Sequence, residues 1–164
     1  MKTTLSILVL LTLILMTVSC KKEPAESSQS LSASNLAFLK SIQKSNEANE
    51  QRSSDYSAPF EISKVERNKE ILAITVTYPE GCGDSRFELI WNGLILESYP
   101  EMIVLYLRRT TDCKVPGSST SRTLTINLTG YLGDAALAQR VKIILCNSSK
   151  KANTENSDIT VSGN

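Results

Sequence analysis

The sequence predicts an all-β domain, a single antiparallel β-sandwich of about seven strands (Ig-like or a similar Greek key), behind an export segment and a disordered tether. Three observations predict it. After residue 58, short runs alternate apolar and polar side chains with period two, the pattern of strands buried on one face. Turn residues punctuate the runs at Pro79-Glu80-Gly81, Asn92-Gly93 and Pro116-Gly117. No long helical periodicity separates them, so antiparallel pairing is expected and a parallel sheet is not.

The elements follow in chain order. Met1-Lys2 opens the chain, and Leu5 to Val18 is almost wholly apolar. That run is shorter than the about 20 residues of a transmembrane helix. A basic start, a short apolar core and then small residues make a secretory signal, placed at residues 1–19. Its end, "LMTVSC", resembles the bacterial lipoprotein cleavage box, with Thr17 standing where leucine is usual. That resemblance implies cleavage before Cys20 and lipid on its sulfur and new amine, so that the partner of Cys20 is a membrane. Three acyl chains would hold the protein there, because one alone binds only marginally. Lys21 and Lys22 would meet the headgroups. Lys21, where an inner-membrane protein would carry aspartate, implies the outer membrane. Glu23 is a short form of an acidic surface-export signal, which leaves the periplasmic and the outward face both open.

Residues 20–57 are rich in Ser, Glu, Gln, Lys and Asn and read as a lipidated N-terminus and flexible tether. Within it, Leu36, Leu39 and Ile42 share a helical face, with Ser34 or Asn35 as a cap, so a short helix is expected over 35–47. The sandwich domain is placed at residues 58–164. Its clear strands carry Leu72, Ile74, Val76 and Tyr78; Phe87, Leu89 and Trp91; Ile103, Leu105 and Leu107; Leu124, Ile126 and Leu128; and Val141, Ile143 and Leu145. Weaker runs at residues 60–66 and 158–162 complete seven. Gly130 to Gln139 reads as a helical turn crossing between strands.

Composition narrows the chemistry. The chain has 164 residues and no histidine. Ser-His-Asp triads, His-paired cysteines and His-ligated zinc or copper are therefore excluded. Serine–lysine and paired-carboxylate chemistry remain formally open, yet no enzyme is expected. Loss of Lys2 with the signal leaves 17 basic residues against 17 acidic. A balance near zero has no pull toward nucleic acid, which is not expected as a partner. Neither a cofactor nor a metal site is expected.

Cysteine bears on architecture. Cys82 precedes the Phe87 strand and Cys113 follows the Ile103 strand. If these strands form a hairpin around the Asn92–Glu101 loop, both cysteines fall at its open end. A Cys82–Cys113 disulfide is the preferred reading; a pair using Cys146, or free thiols throughout, are the alternatives. Strict 82–113 register would set Phe87 opposite Arg108, on the wrong face, so slack at Gly81 and Gly83 must absorb one residue. The bond would close a loop of about 30 residues and contribute roughly 3–4 kcal/mol. Without histidine, no cysteine is expected to be catalytic.

The stretches "VTYPEGCGDSRFELIWNG", "MIVLYLRRTTDCK" and "RTLTINLTG" resemble small Bacteroidota lipoproteins of uncharacterised function, including NigD-like ones. There a strand ends in a Gly-Gly-Cys turn before a polar pair with histidine and an alternating Phe-x-Leu strand. Here Glu80 replaces a glycine and Ser85 stands in the histidine's place. The resemblance implies a β-rich envelope domain with a structural disulfide, and no reaction.

Remaining candidates are read against plainer roles. Trp91 is expected in the core. Tyr99, Pro100 and Glu101 form a loop able to touch a glycan or protein. Asp84 with Arg86, and Arg108-Arg109 with Asp112, gather charge at the disulfide end. Asn127-Leu-Thr matches a glycosylation acceptor by chance. The expected function is a lipid-anchored, non-enzymatic binding or structural protein, for example an accessory subunit of an outer-membrane complex. The alternative is an inhibitor or small-ligand or glycan-binding module acting through loops near Cys82 and Cys113.

Overall fold

The computed structural model describes residues 29–31, 36–80, 84–112 and 117–163. The chain order is β1 (Gln29–Leu31), β2 (Leu36–Lys40), α1 (Ile42–Gln51), β3 (Glu61–Asn68), β4 (Ile71–Pro79), β5 (Ser85–Trp91), β6 (Met102–Thr111) and β7 (Ser119–Asn127). Then follow α2 (Thr129–Leu132), α3 (Ala135–Arg140), β8 (Lys142–Asn147) and β9 (Asp158–Val161). The protein is mostly β, in two sheets that do not close into a barrel. One sheet has six strands in the order β1-β2-β5-β6-β8-β9; the other has three, β3-β4-β7.

The alternating runs form strands as expected. In β4, Leu72, Ile74, Val76 and Tyr78 are buried, and their neighbours Ala73, Thr75 and Thr77 are less so. The same parity buries Leu124 and Ile126 of β7, Phe87, Leu89 and Trp91 of β5, and Leu105 and Leu107 of β6. These side chains, from both sheets, share one apolar cluster. The outer face of the three-stranded sheet is polar instead. There Thr75 and Thr123 hydroxyls lie 3.1 Å apart and those of Thr77 and Ser121 2.8 Å apart, cross-strand pairs that face water.

The antiparallel expectation needs correction. β5 and β6 do form the expected hairpin, but β2 pairs parallel with β5 and β6 pairs parallel with β8. Period two reports which face of a strand is buried, not the direction of its neighbour. The parallel β8 is reached from β7 through α2 and α3, the segment read as a helical turn. Gly133 ends α2 at φ 74°, its N–H donating to the Thr129 carbonyl, and Asp134 caps α3 by accepting from Ala136 N and Leu137 N.

Part of the segment expected as tether belongs to the fold. "LAFLK" is a strand, not the first turn of a helix: Leu36 and Phe38 are buried, and Phe38 stacks on Tyr131 at 3.9 Å and meets Trp91 edge-on. The apolar spacing of Leu36, Leu39 and Ile42 fits a helix; that of Leu36 and Phe38 fits a strand; the open flank of β5 selects the second. The helix begins later than expected. Ser41 is its cap, accepting from Lys44 N at 3.3 Å, and Ser34 and Asn35 lie outside the described residues. α1 is polar, yet its small residues Ser45 and Ala48 are buried. Ala48 packs with Ile90, Tyr106 and Cys146 on the outer face of the six-stranded sheet. The polar helix thus shields a second, smaller apolar cluster.

Candidate functional site

Cys20, Cys82 and Cys113 lie outside the described residues. The last paired positions at the open end of the hairpin, Ser85 and Thr111, are partners in the β5–β6 register. That register sets Phe87 opposite Arg109, one residue on from strict 82–113 pairing. Arg109 therefore shares the inward parity of Ile103, Leu105 and Leu107, and it is 4% exposed.

Arg109 is the hub of this end. Its guanidinium donates to the Pro59 carbonyl (2.9 Å), the Pro79 carbonyl (2.9 Å) and Ser85 Oγ (2.9 and 3.2 Å). It lies 4.5 Å from the ring centre of Tyr78, a cation–π contact. Its backbone N–H donates to Ser57 Oγ, and its carbonyl accepts from Ala58 N. One side chain thus ties the approach to β3, the end of β4 and the start of β5 to β6. Burial pushes its pKa down, but a guanidinium remains charged throughout the ordinary range. The neighbouring Arg108 faces the other way. It pairs with Glu88 at 3.5 Å, donates to the Tyr56 carbonyl and covers the Tyr56 ring. Glu88 Oε2 is within ion-pair reach but makes no hydrogen bond. Beside Arg108, an open polar recess of about 440 Å³ is lined by Glu47, Gln51, Ser53, Asp55 and Tyr56.

A second polar cluster joins α1 to β9. Arg52 donates to Asp158 Oδ1 at 2.7 Å and to the carbonyls of Ser157 (2.8 Å) and Asn147 (3.3 Å). Asp158 also accepts from the Ser157 hydroxyl and the Cys146 thiol. Burial alone would raise the Asp158 carboxyl. The hydrogen bonds from Arg52, Cys146 and Ser157 and the Arg52 charge outweigh it and hold the pKa below the usual value. A depressed carboxyl stabilises the fold above its unfolded pKa, near 3.9, and that stabilisation is lost as pH falls through the lower folded value. Asp158→Asn is therefore expected to flatten the acid limb of the stability–pH curve below about pH 4. Urea midpoints between neutral pH and pH 2 measure this; parallel curves for the two chains would contradict it.

Cys146 is buried with a free thiol. It points away from Val141, Ile143 and Leu145, as its parity requires, into the cluster beneath α1. Burial, then the hydrogen bond and charge of Asp158, push its pKa up to about 12. A thiol so high carries almost no thiolate near neutral pH and is a poor nucleophile. Native protein at pH 8 is expected to leave Cys146 unlabelled by an aromatic disulfide reagent, with prompt reaction in urea. Stoichiometric labelling of that residue in the native state, read by peptide mass, would contradict this placement.

At the other end of the six-stranded sheet lies the loop over 92–101. Trp91 is core, 2% exposed, and its Nε1–H donates to the Leu94 carbonyl. Tyr99 is fully exposed, ahead of a cis bond to Pro100. Arg140 clasps Glu101 through two bonds of 3.0 and 3.2 Å. With Glu97 and Ser98 these residues line a shallow hollow of about 690 Å³. Asp84 and Arg86 are exposed, and Asn127 serves its own turn by accepting from Thr129 N at 2.9 Å.

The buried Arg109 and Arg52 were not singled out as core by sequence reasoning. For Arg109 the signal existed, since it continues the inward parity of β6. For Arg52, in a polar segment, nothing distinguished it. Among the described residues, no group of three or more acidic or cysteine side chains gathers to hold a metal ion, and no helix is long and apolar enough to cross a membrane.

No protein-family model matches the chain, and no curated protein matches it. Among solved structures, it is similar to a protein of unknown function, DUF1344, from Bacteroides vulgatus ATCC 8482, at 13% identity and a TM-score of 0.47. It is also similar to a candidate lipoprotein from Bacteroides fragilis NCTC 9343, at 13% identity and a TM-score of 0.39. Each likeness covers 66% of this chain, which spans only 49% of the first protein and 62% of the second.

Proposed function

We propose that the chain is a lipid-anchored protein of the bacterial outer membrane, with a binding or structural role and no catalytic one. It would serve as an accessory subunit of an envelope complex. One observation carries the reading: the run from Met1 to Cys20, with its basic start, apolar core and "TVSC" junction. Lys21 supports the outer membrane as address. The balanced charge and the lack of histidine support a role without nucleic acid or histidine-based catalysis. The guanidinium of Arg109 is spent on backbone carbonyls, a serine and a ring, which favours a structural part for it. In this reading the two sheets form one sandwich, and Cys82 bonds to Cys113 across its Arg109 end.

One observation favours a second reading, a module that binds a glycan, small ligand or protein through the Cys82–Cys113 end. The ends of β4, β5, β6 and β7 at Pro79, Ser85, Thr111 and Ser119 gather at that end, where one body of loops could form a single surface. Purification of the tagged full-length protein from its own membranes in mild detergent, with mass spectrometry of what accompanies it, separates the two. A stoichiometric membrane partner supports the accessory-subunit role. A solitary protein that binds a glycan or small molecule saturably sinks it in favour of the second reading.

A further inference from the structure

The exposed large apolar side chains of the described residues are Ile42, Leu94, Ile95, Leu96 and Tyr99, each from 40% to 105% exposed. They gather at one end of the six-stranded sheet. Ser41 N donates to the Trp91 carbonyl at 2.9 Å, which brings Ile42 beside the Asn92-Gly93 turn. Gly93, at φ +83°, leads into Leu94, and paired backbone bonds between Leu96 and Met102 close the loop. Contiguous apolar exposure of this kind marks an interaction surface more often than chance.

The chain itself says what covers it. β1 runs antiparallel to β2 with Gln29 opposite Phe38 and Leu31 opposite Leu36. Traced backward from Leu31 to Gln29, the backbone heads for Lys40, Trp91 and the apolar loop. Cys20 lies nine residues before Gln29, at most about 30 Å of extended chain. At Gln29 the described chain thus points toward the end that carries the exposed apolar residues, with Cys20 within that reach.

We infer that Ile42, Leu94, Ile95, Leu96 and Tyr99 form a membrane-docking surface that rests in the interfacial layer of the bilayer holding Cys20. The inference rests on the lipid-anchor reading. Tyrosine suits that layer, with its ring among the acyl chains and its hydroxyl at the headgroups. Lys40, Arg140 and Lys142 stand at the same end for phosphate oxygens, with Arg140 already shared with Glu101; Glu97 is the opposing charge on the loop. A patch this small would hold a free protein weakly. A short tether raises the local concentration of membrane to the point where weak contacts suffice. Docking would fix the orientation of the domain and turn the Cys82–Cys113 end, at the opposite pole of the hairpin, away from the bilayer.

The test uses the full-length, lipidated chain in vesicles of phosphatidylethanolamine and phosphatidylglycerol containing brominated acyl chains. Tyr99→Trp reports from the loop and Ser118→Trp from the opposite end, each read as the change over the native Trp91 signal. The expected result is a blue-shifted emission for Tyr99→Trp, quenched severalfold more strongly than that of Ser118→Trp. Equal, weak quenching at both positions in protein that floats with the vesicles overturns docking and leaves the anchor standing. A blue shift without quenching, accompanied by a doubled mass in crosslinking, also overturns it, because a second copy then covers the loop. Protein that lacks the lipid mass and does not float overturns the anchor reading, and the docking surface falls with it.

Discussion

Replacing Phe87 with alanine is expected to destabilise the fold by about 3–5 kcal/mol. Phe87 is wholly buried at the point where the two sheets meet. Its ring stands edge-on to Phe60 at 5.7 Å and to Tyr78 at 5.4 Å. Phe60 leads into β3 and Tyr78 belongs to β4, so one side chain of the six-stranded sheet joins two segments of the other. The loss combines transfer free energy, an unfilled cavity and two aromatic contacts worth about 0.5–1.5 kcal/mol each beyond their area. Neighbouring strands are held by their own ladders and cannot collapse far into the space. A domain of ordinary stability has only about 5–15 kcal/mol to lose, so the variant would be marginal. Phe87→Leu, which keeps most of the volume, is expected to cost much less. Urea unfolding measures both; a small shift in midpoint for Phe87→Ala, at unchanged m, would contradict the packing described.

Arg109→Met is expected to cost about 1–4 kcal/mol, from two part-buried carbonyls that lose their donor and from the lost Tyr78 contact. Methionine keeps the aliphatic stem and removes the fork. The part-buried carbonyls of Pro59 and Pro79 then lose their Arg109 donors. Two terms oppose each other here. Removing a buried cation relieves its desolvation, which favours the variant; orphaning two carbonyls and losing the Tyr78 contact disfavours it. The second is larger, because the fork makes bonds in three directions and its burial is already offset by them. Arg109→Lys is expected to recover only part of the loss, since one ammonium cannot span Pro59, Pro79 and Ser85 together. A neutral or stabilising Arg109→Met would show that desolvation dominates and that the hub is dispensable.

Much of the β framework was legible in the residues. The alternation of Leu72, Ile74, Val76 and Tyr78, and of Leu124 and Ile126, can be satisfied only by strands with one face inside. The Asn92-Gly93 turn and the β5–β6 hairpin followed from the same pattern. Strand partners were less legible, because alternation is blind to direction; hence the parallel β2–β5 and β6–β8 pairs were missed. "LAFLK" was read with the wrong period, since its apolar residues fit both spacings and only the free flank of β5 decides. A helix was expected over 35–47 and forms over Ile42–Gln51; polar composition concealed that it docks through Ser45 and Ala48, residues too small to announce a buried face. Arg109 shows a related limit: charge suggested surface, whereas its parity with Leu105 and Leu107 placed it inside. The sequence-level site residues Cys20, Cys82 and Cys113 lie outside the described residues, so the anchor and the disulfide rest on sequence pattern.

The most direct measurement is mass spectrometry of the N-terminal peptide of the mature protein, taken from its own membranes without reduction or alkylation of lipid-linked cysteine. The anchor reading predicts a peptide that begins at Cys20 and carries a diacylglycerol thioether, with no peptide from residues 1–19. A mature N-terminus elsewhere, or an unmodified Cys20 in protein that washes from the membrane with salt, would contradict it.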